Sequence, residues 1–445
     1  MDINSLLNKN PTLCKCGKQH GMPIEKVIIG KGVLSEIAEV AKSFGASKAF
    51  VLSDINTYAV AGEKVCSLLE SGDIAYLSYV IDEASPEPDE VSVGKAFMHY
   101  DASCDIIIGV GSGVINDICK IVSTVSGKPY IIVGTAPSMD GYASNSSSMI
   151  MSGVKVSLPS RNADVIIGDT DVLKTAPDRT LKAGLGDMIA KYISICEWRI
   201  SNLINGEYYC EYVADLVRSA LKSCTDNAHK LLERDDEAIA AVFEGLVVSG
   251  IAMNYAGISR PASGIEHYMS HVWDMRGVEF GYHTDLHGTQ CAVASLISAK
   301  LYNIIKGITP DKEQALAYVS GFSYEDWSRK LSSFVGRGAE TMIALEEKEG
   351  KYNKEKHKAR LEIILDNWNA ILQIIEEDLP SLEVLDDVFR KADLPTTLEG
   401  IGIDESILPM TFLATKDIRN KYILSHLAWD IGVIDTLAES LNNMK

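Results

Sequence analysis

Residues 263–290, SGIEHYMSHVWDMRGVEFGYHTDLHGTQ, hold four of the chain's nine histidines in two pairs, His267 with His271 and His283 with His287. The first pair falls in a run that reads as helix, so a spacing of four stacks both rings on one face. The second lies where Gly281, Asp285 and Gly288 mark a loop leading into the apolar run Ala292 to Leu296. Imidazole is the commonest transition-metal ligand, and a catalytic metal takes about three protein ligands plus an open position for water or substrate. Two histidines therefore want a third donor, usually a carboxylate. The stretch Gly184-Leu185-Gly186-Asp187-Met188 offers Asp187, with no further acid until Glu197. Spacing leaves two readings open: Asp187 as a metal ligand, or as an N-cap or first-turn carboxylate at the start of an apolar helix.

Three apparent strand ends suit a nucleotide. In Asp105-Ile-Ile-Ile-Gly109-Val-Gly111-Ser112-Gly113-Val114-Ile115-Asn-Asp117 a buried strand runs through glycines into a helix, where bare backbone and a helix N-terminus can meet a pyrophosphate. The spacing is neither the common dinucleotide fingerprint nor a P-loop, and a glycine turn without ligand fits it equally. Asp54, after the apolar run Ala49 to Leu52, is a strand-end carboxylate suited to ribose hydroxyls or simply to a turn. Residues 134–144, GTAPSMDGYAS, form a small hydroxyl-rich loop for the nicotinamide end of a dinucleotide, or only a loop. Near the start, Cys14-Lys15-Cys16-Gly17-Lys18-Gln19-His20 has half the makings of a zinc site, but the usual two-residue gap is missing, and a surface loop is preferred.

The elements that must position these residues follow from the pattern. At 445 residues, two domains are expected. From Glu25 to about Asp169, apolar β-branched runs alternate with amphipathic stretches, which indicates βαβ units and a parallel sheet. From about Pro177 onward the pattern is amphipathic helix, including Asp178–Ile204 and Lys356–Glu377. The expected division is 1–176, an α/β dinucleotide-binding domain, and 177–445, an all-α metal-binding domain. The polar run Glu346 to Arg360 reads as a solvated helical hairpin tip turning at Gly350. The net charge of −19 argues against a nucleic-acid partner. No uninterrupted apolar run reaches the roughly 18 residues of a membrane span. The first residues lack a secretory leader's basic flank and apolar core, and nine scattered cysteines suit a reducing cytoplasm.

The phrases GVGSGVINDICK, TAPSMDGYAS, LKAGLGDMIAKY, SGIEHYMSHVWD and DLHGTQCAV, with IGDTDVL near Asp169 and IRNKYILSHLAWDIG near the carboxyl end, together resemble a known superfamily. It comprises the iron-containing alcohol dehydrogenases, glycerol dehydrogenases and dehydroquinate synthases, and the likeness is greatest to the bacterial sn-glycerol-1-phosphate dehydrogenases. That resemblance implies a Rossmann-like parallel-sheet domain and an all-α domain in the dehydroquinate synthase-like arrangement. It implies one divalent metal (zinc, nickel or iron) on Asp187, His267 and His287, with Asp140, Asp187 and His271 at the substrate and in catalysis. NAD or NADP would lie along Gly111, Ser112, Gly113, Val114 and Ile115, then Thr135, Ser138 and Ser144, with Asp54 at the adenosine ribose. His283 matches no family ligand. Lys191 stands where some iron alcohol dehydrogenases carry a fourth, histidine ligand, so three ligands are expected.

The implied reaction is reduction of dihydroxyacetone phosphate to sn-glycerol 1-phosphate by a cytoplasmic homodimer, with Lys155 and Arg161 as candidates for the phosphate. Glycerol as an unphosphorylated substrate, or a lyase of the dehydroquinate-synthase type, are the alternatives; a catalytically silent relative serving assembly is a third.

Overall fold

The computed structural model of the chain describes residues 3–7, 12–83, 85–151 and 154–443. Part of the amino-terminal stretch read above as lacking a leader, residues 1–2 and 8–11, lies outside them. The chain divides into two compact units, residues 1–188 with 215–258, and residues 189–214 with 259–445.

The first unit is organised by six strands, β1 (Lys26–Gly30), β2 (Lys48–Asp54), β3 (Ala75–Ile81), β4 (Ile106–Gly111), β5 (Tyr130–Gly134) and, after an intervening hairpin, β8 (Val165–Asp169). They pair in the order β1-β8-β5-β4-β2-β3, and each pairing is parallel. All six match apolar runs expected as strands. The runs are continuous rather than alternating because helices cover both faces of a parallel sheet, and β4, β5 and β8 are buried along their whole length. Ile106, Ile108, Val110, Ile131, Val133 and Ile167 pack there with Leu34, Ile37, Val65 and Leu69 from the covering helices. Between β5 and β8 the chain forms an antiparallel hairpin, β6 (Ser146–Met151) with β7 (Val154–Pro159), which the sequence reading did not assign.

The strand order reverses direction between β2 and β4, which are neighbours. In an open parallel sheet the carboxyl ends of the strands on either side of such a reversal frame the ligand crevice. Those ends are Asp54 and Gly111. From β4 the chain enters helix α1 (Gly113–Ser126); later come α2 (Asp178–Ile189), α3 (Lys191–Asn205) and α4 (Asp236–Ala256). Among the described residues α4 is the one helix long and apolar enough to cross a membrane, and 78% of its apolar window is buried within the protein.

The second unit is helical among its described residues. Its helices α5 (Ile265–Phe280) and α6 (His287–Ile305) pack around Trp273, Tyr302, Phe412 and Trp429. The expected long helices 178–204 and 356–377 are each broken, at Ala190 and at Asn367, and helix Leu408–Ile418 was not anticipated. The hairpin turning at Gly350 exists, with Gly350 left-handed at φ 61°. Glu347, Lys348 and Asn353 to Lys356 are exposed as expected, but Glu346, His357 and Arg360 are not. Glu346 is buried and accepts the backbone N–H groups of Lys351 and Tyr352 at 2.9 and 3.0 Å. His357 and Arg360 reach the buried Asp430, the arginine at 2.8 Å from its Oδ1. Charges with partners of this kind look like surface in a sequence and sit in the interior of a fold.

The end of β8 shows how the first unit is tied together. Asp169 is fully buried; its Oδ1 accepts from Gly32 and Asp171 at 2.9 and 3.0 Å, and its Oδ2 from Leu34 at 3.0 Å. Replacing it by alanine would strand three N–H groups, that of the buried Leu34 among them. The expected loss for Asp169→Ala in urea unfolding is roughly 2–4 kcal/mol, the range for several unsatisfied donors; a loss under about 0.5 kcal/mol, as at ordinary surface positions, would contradict this role.

Candidate functional site

In the first unit the glycine loop lies where the sequence puts it, at the carboxyl end of β4 and the start of α1. Gly111 is needed for packing, since a Cβ there would fall 2.5 Å from the Cβ of Ile115. At Gly113 a Cβ would meet only Met139, at 3.5 Å, an ordinary contact. The protein's own packing does not demand glycine at 113, so close approach of a ligand to the backbone is the better reason for it. Ile115 is buried, while Ser112 and Val114 are half-buried. The neighbouring strand end is bonded to this one, Thr135 N–H donating to the carbonyl of Gly111 at 3.1 Å.

Asp54 closes β2, and its Oδ1 accepts from Asn56 and Thr57 at 2.8 and 2.9 Å as the cap of a short helix. The turn-forming role weighed for it is therefore present, with its Oδ2 making no bond within that cap. In the 134–144 loop, Ser144 is buried and receives the amine of Lys120 at 2.9 Å. Lys120, on α1 and fully buried, also donates to the carbonyls of Gly141 and Ser146 at 2.6 and 3.0 Å. Burial pushes its pKa down, opposed by Asp117. Ser138, half-buried, lies in the same loop. Lys120 holds that loop's shape and was given no role in the sequence reading. Arg161, a phosphate candidate, reaches the carboxylate of Asp164 at 3.3 Å and carbonyls of Gly127 and Lys128, and Lys155 is exposed on β7.

Asp187 does not start a helix. It stands in the last turn of α2, fully buried, which removes the first-turn and N-cap reading. Its Oδ2 accepts the backbone N–H of Asp140 at 3.0 Å, and Ser249 Oγ donates to Asp140 Oδ2 at 2.8 Å. The approach of α2 to the loop depends on Gly184, where a Cβ would lie 1.8 Å from the carbonyl oxygen of Pro137.

In the second unit α5 and α6 bring the histidines together. The rings of His267 and His287 lie 5.0 Å apart, and those of His271 and His287 5.7 Å apart, nearly parallel. Glu266, buried, faces His267 Nδ1 at 2.7 Å and accepts from Gly264 N–H at 2.7 Å. Ser270 Oγ lies 2.8 Å from His287 Nδ1. A carboxylate and a hydroxyl thus engage the two Nδ1 atoms, the usual outer support of a metal-bound histidine, and Cys291 Sγ lies 3.6 Å from His287 Nε2. Cys291, one helical turn after His287, completes a trio whose donor atoms lie within 4.8 Å of one another. Burial pushes its thiol pKa up, but His267 and His287 outweigh that and the net shift is down. The four-residue step from His287 to Cys291 was visible in the sequence and went unused. His283 is an exposed loop residue, as expected, and Lys191 is buried with its amine on the carbonyl of Ala262 at 3.0 Å.

The family model described as iron-containing alcohol dehydrogenase matches residues 28–177. A curated relative from Halalkalibacterium halodurans, glycerol-1-phosphate dehydrogenase [NAD(P)+], is 30% identical over 357 residues, 79% of this chain and 82% of that protein. The chain belongs to the glycerol-1-phosphate dehydrogenase family. A family member of the same name from Methanosarcina mazei is 34% identical over 277 residues, 62% of this chain and 76% of its own. Among solved structures, glycerol dehydrogenase from Schizosaccharomyces pombe superposes with a TM-score of 0.60 at 19% identity, covering 98% of this chain and 93% of that one, which shows the shared fold. Family membership and the outer contacts agree on an oxidoreductase built around a metal. Glu266→Gln keeps the shape of the group touching His267 and removes its charge; metal affinity measured by competitive chelation is expected to fall about 10–100-fold. An unchanged affinity would show that Glu266 does not support the ligand.

Proposed function

We propose that the protein reduces dihydroxyacetone phosphate to sn-glycerol 1-phosphate with NADH or NADPH, using one divalent metal held by Asp187, His267 and His287. The observation that carries this reading is the pair of imidazoles with both Nδ1 atoms engaged, in a chain whose relatives are named for that activity. Zinc, nickel and iron all suit two imidazoles and a carboxylate.

The bound metal would supply Lewis-acid polarisation of a carbonyl oxygen. The backbone of residues 111–115 would receive the pyrophosphate of the dinucleotide, with α1's N-terminal amides facing the charge. The Asp54 carboxylate would take ribose hydroxyls through its outer oxygen, and would repel a 2′-phosphate, which favours NAD over NADP. Thr135, Ser138 and Ser144 would line the section towards the nicotinamide, in a loop whose shape Lys120 fixes. Asp140, oriented by Ser249 and by its own N–H on Asp187, would accept a substrate hydroxyl. His271 would pass a proton to the oxygen that gains charge as hydride arrives at C2. For the phosphate we favour Lys421. It is buried, with burial first and then Arg260 and Arg419 pushing its pKa down, so an incoming dianion would restore its charge. Two of its three N–H groups go to the carbonyls of Ser259 and Ser263 at 3.2 and 2.8 Å, which leaves one for a ligand.

No disulfide joins any of the nine cysteines, which suits the reducing cytoplasm we propose as the setting. The resemblance supports a homodimer.

The test is NADH oxidation followed spectrophotometrically with dihydroxyacetone phosphate, before and after chelation, with chiral analysis of the product. Turnover that chelation abolishes and added metal restores, yielding the sn-1 enantiomer, is expected. Equal turnover of the unphosphorylated analogue would move the substrate to glycerol. Turnover of a substrate without net NADH consumption would point to a lyase.

A further inference from the structure

The Cys14–His20 stretch has no place in this chemistry; it is the largely exposed loop the sequence reading preferred, but one folded so that three donor side chains meet. Cys14, Cys16 and His20 bring their donor atoms within 4.8 Å of one another, with His20 Nε2 3.3 Å from Cys16 Sγ. The turn that does this is closed at both ends. Cys14 N–H donates to the carbonyl of Lys18 and Gly17 N–H to that of Cys14, each at 2.9 Å, with Gly17 at φ 86° in the left-handed region. Leu13 and Gln19 pair across it as an antiparallel bridge.

The protonation state of His20 follows from its other nitrogen. Nδ1 lies 3.2 Å from the carbonyl oxygen of Tyr255, which can only accept, so Nδ1 carries the proton. In the neutral ring Nε2 then presents its lone pair towards the two sulfurs. A backbone carbonyl on the far nitrogen is a common outer contact of a metal-bound histidine. His20 is buried and stacks on the ring of Tyr255 at 5.1 Å, so its orientation is fixed by packing as well.

We propose that Cys14, Cys16 and His20 form a second metal site, separate from Asp187, His267 and His287, that takes a thiophilic divalent cation such as zinc and has a structural role. Two thiolates and one imidazole are a zinc donor set, and a tetrahedral ion has room for one further donor. The site sits against the carboxyl end of α4, where helix carbonyls lack partners within the helix. His20 takes the carbonyl of Tyr255, and Lys18 donates to that of Ala256 at 2.7 Å. The hydroxyl of Tyr255 donates in turn to the carbonyl of Leu6. A metal in the turn would fasten the amino-terminal segment to this helix end, in the place where a cationic side chain is also favoured by the helix dipole.

Two measurements on the full chain decide it. Metal analysis after saturation with zinc and removal of excess should find one equivalent fewer per chain in Cys14→Ser/Cys16→Ser than in the unaltered protein, with dehydrogenase turnover retained. On the unaltered protein, which avoids any folding defect of the variant, iodoacetamide followed by peptide mass spectrometry should find Cys14 and Cys16 protected until a strong chelator is added. Equal zinc content in the two proteins overturns the proposal. So does alkylation of Cys14 and Cys16 at a rate that the chelator leaves unchanged, including protection relieved by a reductant alone, which would mark a disulfide.

Discussion

A carboxylate buried in the last turn of a helix sits against the negative end of the helix dipole, and burial adds a desolvation penalty to that repulsion. Asp187 is in that position. The backbone N–H of Asp140 donates to one of its oxygens. A cation held there, as proposed, would lessen that repulsion, and the sequence around Asp187 is shaped to bring a second segment against it. Gly184 lets α2 touch the carbonyl of Pro137, which brings the 134–144 loop onto the carboxylate and turns Asp140 towards it. Ser249 from α4 and Lys120 from α1 then hold the second half of the same loop, at Asp140 and at Gly141 and Ser144. One close helix-to-loop contact therefore organises the residues proposed for substrate and for the nicotinamide end of the cofactor.

In the helical unit the corresponding constraint is the start of α5. Glu197 is buried and accepts the backbone N–H of Ile265 at 2.9 Å and that of Leu424 at 2.8 Å, two helix beginnings answered by one side chain. Tyr302 adds a hydroxyl at 3.2 Å. Burial, and then the neighbouring charge of Glu266, push the pKa of Glu197 up to about 8. Glu266 itself meets Gly264 N–H and His267, with its second oxygen buried and without a hydrogen-bond partner. The carboxylate of Glu266 thus stands directly behind His267, while the raised pKa of Glu197 keeps a second charge from crowding it near neutral pH.

Much of this was legible because burial writes itself into residue type. A parallel sheet covered on both faces must be spelled in continuous β-branched runs, and all six such runs became strands. Histidines four apart on an amphipathic run had to share a helix face, and His267 and His271 do. What stayed hidden depended on contacts between segments distant in sequence. The glycines around Asp187 read as a helix start, whereas Gly184 serves a contact with Pro137 inside a helix already under way. Within the exposed run 346–360, Glu346, His357 and Arg360 read as solvated too because their partners, Asp430 and backbone groups, lie elsewhere in the chain or on the turn itself. Domain limits show the same difference: secondary structure changes near residue 176, while α4 belongs by compactness with the sheet. Glu266 could have been suspected as an acid beside a ligand histidine; Ser249 carried no signal at all.

The central claim is that Asp187, His267 and His287 share one cation. Anomalous-scattering maps from crystals of the metal-loaded protein, collected at the absorption edge of the metal, test it most directly. The account predicts a peak bonded to one oxygen of Asp187 and to Nε2 of both histidines. A peak held by His267, His287 and Cys291 with Asp187 turned away, or no peak at the histidines, would contradict it.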